Sequence, residues 1–272
     1  MSDEPTSRPW AIDLGTMAQL RLKKAEEALR LGDAEMALVE AEELLDDVPD
    51  HAAALAVVGE AALIIHDAAL AARAFEQLLA QRPDDALGLE GLAVARFELV
   101  EYDQALEAAR KARTRDPDLG RAWYYEGLVL ERRGEGVSSS RCFEKAYQVD
   151  PVRYPLPRNF SDAAWEEALT TAKKGLPGPI RAFYANVPVR WEKFPDATDL
   201  TSHTPPLSPF SYALYEGAPP VEGDPWTQGP KAIRLFRGNL RQGVKRKEEL
   251  ERRIADALLR EAAAWLGVDE AE

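Results

Sequence analysis

The last predicted helix of the chain ends in the stretch Leu258-Leu259-Arg260-Glu261-Ala262-Ala263-Ala264-Trp265-Leu266-Gly267-Val268-Asp269. This helix begins near Lys247 and stops at Gly267, the residue type that favours the left-handed backbone after a helix. Apolar residues recur along one face with a period of 3.6, namely Leu250, Ile254, Ala257, Leu258 and Trp265. Glu261 interrupts that face, so its carboxylate must be paired, bound to a ligand or placed at a cleft edge.

The same stretch resembles the active helix of the minimal zincins, small bacterial proteins of the zinc-metallopeptidase type with the pattern H-E-x-x-H-H-x-G. Glu261 and Gly267 match, whereas Arg260 and Ala264 occupy the two zinc-ligand positions and Trp265 replaces the second His of the adjacent His-His pair. Zinc needs neutral imidazoles at i and i+4, which a protonated guanidinium and a methyl group cannot replace. The resemblance implies the fold, and the substitutions predict no metal, no cofactor and no catalytic residue, leaving Glu261 vestigial.

Three further segments extend the resemblance back to about Phe160. They are Ala185-Asn186-Val187-Pro188-Val189, Leu214-Tyr215-Glu216-Gly217-Ala218-Pro219 and Ile233-Arg234-Leu235-Phe236-Arg237. Each resembles a segment of the zincin family: the first strand, the Leu-Tyr-Glu-Gly turn and the Ile-x-Leu-Phe-Arg strand. Alternation predicts strands over 187–193, 211–217 and 231–237, after a helix capped by Ser161 and a short helix over 180–185; residues 196–210 read as a loop. We expect a small α+β domain over 161–272 that lacks the HExxH histidines.

The first half of the chain repeats itself every 34 residues, the period of tetratricopeptide repeats. Four prolines mark the period: Pro49, Pro83, Pro117 and Pro151. Other residue types share the register, namely Ala37, Ala71, Ala105 and Ser139 in the second helices, Phe75 and Phe143 as anchors, and Gly59 and Gly127 in the first helices. This half resembles a tetratricopeptide α-solenoid of four repeats over 18–151, after an arm over 1–17 and before a linker over 152–160. The whole chain is therefore predicted to be mainly α.

First helices of such an array line a groove that can bind a partner. The register predicts that the groove contains Leu22, Glu26, Glu60, Leu63, Glu90, Val94, Phe97, Arg121, Tyr124 and Leu128. Its mixture of apolar and acidic residues favours a protein or peptide partner with a basic or amphipathic segment. The alternative is that the C-terminal half of the same chain covers the groove.

Charge and composition restrict the partners further. Residues 1–151 contain 30 acidic and 17 basic residues, whereas residues 152–272 contain 17 of each, so the net charge of −13 belongs to the first half. Such a surface makes nucleic acid an unsuitable partner. The acidic start of the sequence predicts no signal peptide, and no apolar run predicts membrane insertion; the one cysteine, Cys142, permits no internal disulfide. These features favour the cytoplasm.

Two functions follow from these patterns. The first is a non-catalytic adaptor or scaffold, a pseudo-peptidase whose repeats bind a partner protein. The alternative is a metal-dependent peptidase with a rearranged site built from Glu261, Asp269, Glu270 and His203. Under the first hypothesis, we expect Glu261 to pair with Arg234 or Arg237.

Overall fold

The computed structural model describes residues 14–220 and 222–268. The chain divides into two compact units, one up to Val149 and the other from Asp150. Each unit is described by itself below.

The first unit is an array of four helix pairs. In chain order the helices are α1 (Leu14–Leu31), α2 (Ala34–Asp47), α3 (Ala52–Ile64), α4 (Ala68–Gln81), α5 (Ala86–Glu98), α6 (Tyr102–Arg115), α7 (Gly120–Arg132) and α8 (Gly136–Val149). Contacts connect each helix with the next and each first helix with the first helix of the following pair. Every pair therefore covers the apolar face of its neighbour, as a repeat array requires.

Small residues allow these helices to approach closely. The repeated alanines of the second helices are fully buried, and Ser139 takes the equivalent buried position in α8. The Phe75 ring of α4 lies against Gly59 of α3 and Gly91 of α5, and a Cβ at either glycine would lie under 3 Å from the ring. Phe75 thus joins two successive pairs.

The turn inside each pair needs a left-handed residue. Gly32, His66, Val100 and Gly134 occupy equivalent positions 34 residues apart, and their φ angles are 83°, 62°, 65° and 79°. Glycine adopts this conformation freely, whereas a β-branched residue is strained there. The turn geometry is therefore repeated along the array although the residue types are not.

The second unit is a small α+β domain. Its elements are α9 (Asp162–Gly175), α10 (Gly178–Phe183), β1 (Val189–Glu192), α11 (Ala197–Thr201), β2 (Ala213–Glu216), β3 (Ala232–Phe236), α12 (Arg237–Leu240) and α13 (Lys247–Leu266). The Ser161 side chain caps α9, and Gly267 ends α13 at a φ of 64°. Both helix ends were predicted from the sequence.

The three strands form one sheet in the order β1-β3-β2. Strand β1 runs parallel to β3, with Val189 opposite Ile233, and β2 runs antiparallel to β3, with Tyr215 opposite Ile233. One face of the sheet packs on α9 and α13 through Ile233 and Leu235, which are fully buried in the main core of this unit. The predicted fold class, a mainly α repeat array followed by a small α+β domain, is confirmed.

Two short helices of this unit differ from the sequence prediction. Residues 196–210 were predicted to be a loop, but Asp196 caps α11 and Leu200 of that helix is fully buried. Helix α12 was not predicted, because its four residues are too few to show a helical period. No helix of the described residues is long and apolar enough to cross a membrane.

Candidate functional site

Helix α13 meets strand β2 at a cleft in the second unit. The cleft has a volume of about 760 Å³, and its walls include Asp199, His203, Glu216, Arg234, Glu261 and Ala264. Trp265 lies beneath it, buried, with its ring edge-to-face on Tyr215 at 5.2 Å between centroids and its Nε1–H donating to the Gln228 carbonyl at 3.0 Å. The Tyr184 hydroxyl donates to the Leu258 carbonyl at 2.6 Å. These contacts fix the end of α13 against the strand.

Glu261 projects from α13 to the backbone of β2. The Tyr215 N–H donates to Glu261 Oε2 at 2.8 Å. Burial raises the pKa of the Glu261 carboxyl to about 7, and the hydrogen bond from Tyr215 opposes this rise only in part. The side chain is half-buried, so it remains at the cleft wall rather than in the core.

The predicted pairing of Glu261 with Arg234 or Arg237 is wrong. Arg234 donates to Asp199 at 2.6 Å, and Arg237 donates to Asp162 at 2.6 Å. Both arginines lie on or just after β3, where acidic groups of other elements reach them first. The partner of Glu261 is a backbone amide, which side-chain patterns do not reveal.

In the first unit, Arg121 joins three successive repeats. Its guanidinium donates to Glu60 of α3 at 2.9 Å and to Glu90 of α5 at 2.9 Å, while Glu90 also accepts the Ala122 N–H at 3.0 Å. Burial alone would lower the pKa of Arg121, but the hydrogen bonds and charges of Glu60 and Glu90 outweigh it and raise that pKa. The acidic groups predicted to attract a basic partner therefore already hold an internal cation.

The other predicted groove residues fall into two groups. Val94, Phe97 and Leu128 are buried, with Phe97 and Leu128 0% and 1% exposed, so they pack between helices and do not line an open surface. Helical period alone does not separate the inner face of a first helix from the side that touches the next pair. The second group of predicted groove residues remains accessible: Glu26 is exposed, and Leu22, Leu63 and Tyr124 are half-buried.

Part of the sequence of the second unit matches a known family of proteins. Residues 184–272 match the model of the zincin-like metallopeptidase family. The match begins just before β1 and includes β2, β3 and α13, so the resemblance inferred from the sequence is confirmed over this part of the chain. No curated protein matches the sequence.

Solved structures of repeat proteins resemble the helical part. One is a crystal structure of the MamA protein, at 20% identity and a TM-score of 0.46, covering 52% of this chain and 78% of that one. MamA from Desulfovibrio magneticus RS-1 is 23% identical with a TM-score of 0.45, and the match covers 51% of this chain and 76% of that one. TTC0263, a thermophilic TPR protein in Thermus thermophilus, is 21% identical with a TM-score of 0.45, and the match covers 50% of this chain and 75% of that one.

The two positions of α13 that hold zinc ligands in the family pattern carry other residue types in this chain. Arg260 and Ala264 are exposed at the two ligand positions of α13, where the pattern of this family has imidazoles. His203 lines the same cleft as Glu261, and its Nδ1 lies 3.0 Å from the Ser202 hydroxyl oxygen. In the described residues no three His, Cys, Asp or Glu side chains cluster as metal ligands, and Asp269 and Glu270 lie outside those residues.

Sequence reasoning missed two structural features of the cleft. The Tyr215 backbone amide is the partner of Glu261, although the Leu-Tyr-Glu-Gly likeness had marked that segment. Asp199 was missed because α11 was read as loop. The signal for α11 was available in Asp196, a favoured N-cap residue, followed by Leu200.

Proposed function

We propose that this chain is a non-catalytic protein-binding adaptor whose second unit is a pseudo-peptidase. The observation that carries the proposal is the pair Arg260 and Ala264 on α13, at the positions where zincins hold their metal. A guanidinium stays protonated and alanine has no donor atom, so the residues of this helix cannot polarise a water or a carbonyl through zinc.

The environment of Glu261 supports the same conclusion. A general base of this family acts on a zinc-activated water, and Arg260 and Ala264 provide no zinc ligand beside Glu261, whose Oε2 accepts the Tyr215 N–H at 2.8 Å. The carboxylate thus serves as a structural acceptor between α13 and β2.

The repeat array supports a role in protein binding. Its accessible groove residues, Leu22, Glu26, Leu63 and Tyr124, offer apolar and acidic surface to a basic or amphipathic segment of a partner. The acidic first half argues against nucleic acid. We place this activity in the cytoplasm, because the one cysteine of the sequence, Cys142, permits no internal disulfide.

One observation favours the alternative, a metal-dependent peptidase with a rearranged site. His203 and Glu261 line the same cleft, so an imidazole and a carboxylate are available to a metal ion there. Asp269 and Glu270 would have to complete the ligand set.

Zinc content separates the two functions. We expect the purified, tag-free protein to retain less than about 0.1 zinc per chain in elemental mass spectrometry after incubation with excess zinc and dialysis. The double variant Arg260→His, Ala264→His should bind zinc with micromolar affinity or tighter, because it restores two imidazoles at i and i+4. Stoichiometric zinc in the unaltered protein, with hydrolysis of a casein substrate that stops on chelation, would establish the peptidase instead.

A further inference from the structure

The first helix pair carries an apolar groove between α1 and the start of α2, called the end groove below. Its volume is about 460 Å³. The residues that line it are Leu20, Lys23, Lys24, Glu27, Ala28, Leu31, Asp33, Met36 and Glu40. Leu20, Leu31 and Met36 are 45%, 68% and 50% exposed. Large apolar side chains are thus left accessible at one end of the array.

The repeat register identifies what covers the equivalent face of the second pair. The residues one repeat after Leu20, Lys24, Glu27 and Glu40 are Ala54, Val58, Ala61 and Ala74. These four residues are at most 3% exposed, and they share one buried cluster with Ala37, Ala41 and Leu44 of α2. The end groove is therefore the face on which a preceding helix pair would pack.

A preceding helix pair does not fit the end groove, because Leu20 is too large. Its equivalents in the later pairs are Ala54, Gly88 and Ala122, which are all buried. Gly88 lies so close to α4 that a Cβ there would be 2.9 Å from Leu78 Cδ2. A leucine at this position would collide with the second helix of the preceding pair. The end groove therefore accepts neither a further repeat nor a second copy stacked in the register of the array.

Charge contributes little to the choice of an occupant for the end groove. Lys24 donates to Glu40 at 3.4 Å, and Glu27 accepts a hydrogen bond from Arg30 at 2.9 Å. Because these charged groups already have partners, an occupant gains most by covering apolar surface. A single large apolar side chain suits a groove of this size, since a buried aromatic residue removes about 150–250 Å² from water.

The chain supplies such a side chain next to the end groove. Residues 1–13 precede the described part of the chain, and Trp10 and Ile12 lie just before Leu14, where α1 begins. An extended chain spans about 3.3 Å per residue, so Trp10 can reach about 13 Å from Leu14. Leu20 lies about 9 Å along α1, at a rise of about 1.5 Å per residue. Trp10 can therefore cover Leu20 when the chain turns back before α1.

We propose that residues 9–12, Pro-Trp-Ala-Ile, fold back along α1 and cap the array, with the Trp10 ring in the end groove over Leu20. The cap replaces the helix pair that covers this face in every later repeat. It removes an apolar surface on which copies of the chain could associate. This inference concerns the end of the array and is independent of partner binding by the groove of the first helices.

Thiol labelling of the full-length protein with dithiobis(nitrobenzoate) tests the cap. Lys23→Cys places a thiol in the end groove and leaves Leu20 intact. Val39→Cys is the matched control, because Val39 is 52% exposed on α2 and does not line the end groove. The native Cys142 is 6% exposed, so its slow reaction is subtracted with the unaltered protein.

We expect Lys23→Cys to react about fivefold to tenfold more slowly than Val39→Cys, because only molecules with the cap undocked expose the thiol. Adding Trp10→Ala should raise the rate of Lys23→Cys about fivefold and leave that of Val39→Cys unchanged. Adding Trp10→Phe should retain most of the protection, because a smaller aromatic ring still covers Leu20. Circular dichroism spectra matching the unaltered protein confirm that the variants fold.

Three results would overturn the cap. The first is a labelling rate of Lys23→Cys that Trp10→Ala does not change. The second is an equal rise in Val39→Cys, which would indicate general loosening of the first helix pair. The third is protection that increases with protein concentration and survives Trp10→Ala, which would assign the end groove to a second copy of the chain. Partner capture and zinc content are measured separately, so the proposed function stands or falls on other data.

Discussion

The Glu261 carboxyl is held where its charge is costly. Burial raises its pKa to about 7, against an ordinary value of 4.5 in the unfolded chain. The folded protein therefore binds this proton more tightly than the unfolded chain does between these two pH values. By linkage, this group's contribution to the free energy of unfolding falls as pH rises from about 4.5 to about 7 and is fully lost above that range.

Glu261→Gln should remove this pH dependence. The neutral amide keeps the acceptor for Tyr215 and avoids the buried charge, so at pH 8 the variant should exceed the unaltered protein in free energy of unfolding by about 1–3 kcal/mol, after allowance for solvent screening. At pH 4.5 the two should agree. Urea unfolding followed by tryptophan fluorescence measures this, because four of the six tryptophans lie in the second unit. An equal difference at both pH values would contradict the assignment.

Arg121 is the residue on which the ion cluster of the repeats depends. Arg121→Ala should lower the free energy of unfolding by about 2–4 kcal/mol, because Glu90, 5% exposed, would be left as an unpaired buried charge. Thermal unfolding by circular dichroism gives the loss. The matched control is Arg30→Ala, since Arg30 pairs with Glu27 on an exposed helix surface and should contribute far less. Similar losses in the free energy of unfolding in both variants would show that the buried cluster stabilises the array no more than an exposed ion pair does.

At the scale of elements, the turns inside the helix pairs share one backbone conformation although their residue types differ. All four described turn positions are left-handed, yet His66 and Val100 stand where Gly32 and Gly134 do. Val100 is β-branched, the type least suited to positive φ. The third pair therefore carries strain that the first and fourth do not.

The turns can be tested by exchange. Val100→Gly should raise the free energy of unfolding by about 0.5–1 kcal/mol, because relief of strain exceeds the entropy that glycine adds to the unfolded chain. Gly134→Val should lower it by about 1–2 kcal/mol, and the cause is conformational, since a Cβ at Gly134 meets nothing within 4 Å. Thermal unfolding of both variants measures the two changes in stability. Destabilisation by Val100→Gly would show that the packing of the valine outweighs the strain.

The elements themselves were largely predictable, whereas the site was less so. Prolines at a fixed period and small residues in register determine a helical array, since packing repeats with the sequence. Alternation around Ile233 predicted β3, because successive side chains of a strand point to opposite faces of the sheet. In contrast, the contact between Glu261 and Tyr215 joins a side chain to a backbone amide 46 positions away, and no residue type marks such a donor. Arg121 reaches Glu60 across 61 positions, which also leaves no local pattern.

At the scale of the whole molecule, the groove prediction is best tested at residues that form no ion pair with Arg121. Reversing Glu60 and Glu90 would break the Arg121 cluster and destabilise the array. The exposed Glu26 is free of that complication. We expect Glu26→Lys with Leu63→Ala to reduce capture of the partner by full-length protein about tenfold, measured by quantitative mass spectrometry of co-purified proteins.

The control for the groove is Glu107→Lys, an exposed position on α6 that pairs with Lys111. This variant changes the net charge as much as Glu26→Lys does, so it should leave capture unchanged if the groove is the binding surface. Equal losses in the two variants would indicate a general charge effect, and the groove would then no longer be the proposed surface.

The cluster of Glu60, Glu90 and Arg121 has a mechanical consequence. Three first helices, α3, α5 and α7, are tied on one face by a single guanidinium, so bending between these repeats stretches charge-assisted hydrogen bonds. The array should therefore be stiffer at low salt than at high salt, because ions screen the contact of Arg121 with Glu60, which is the more exposed of the two glutamates. A pulling experiment would record that elasticity as a force that falls with ionic strength.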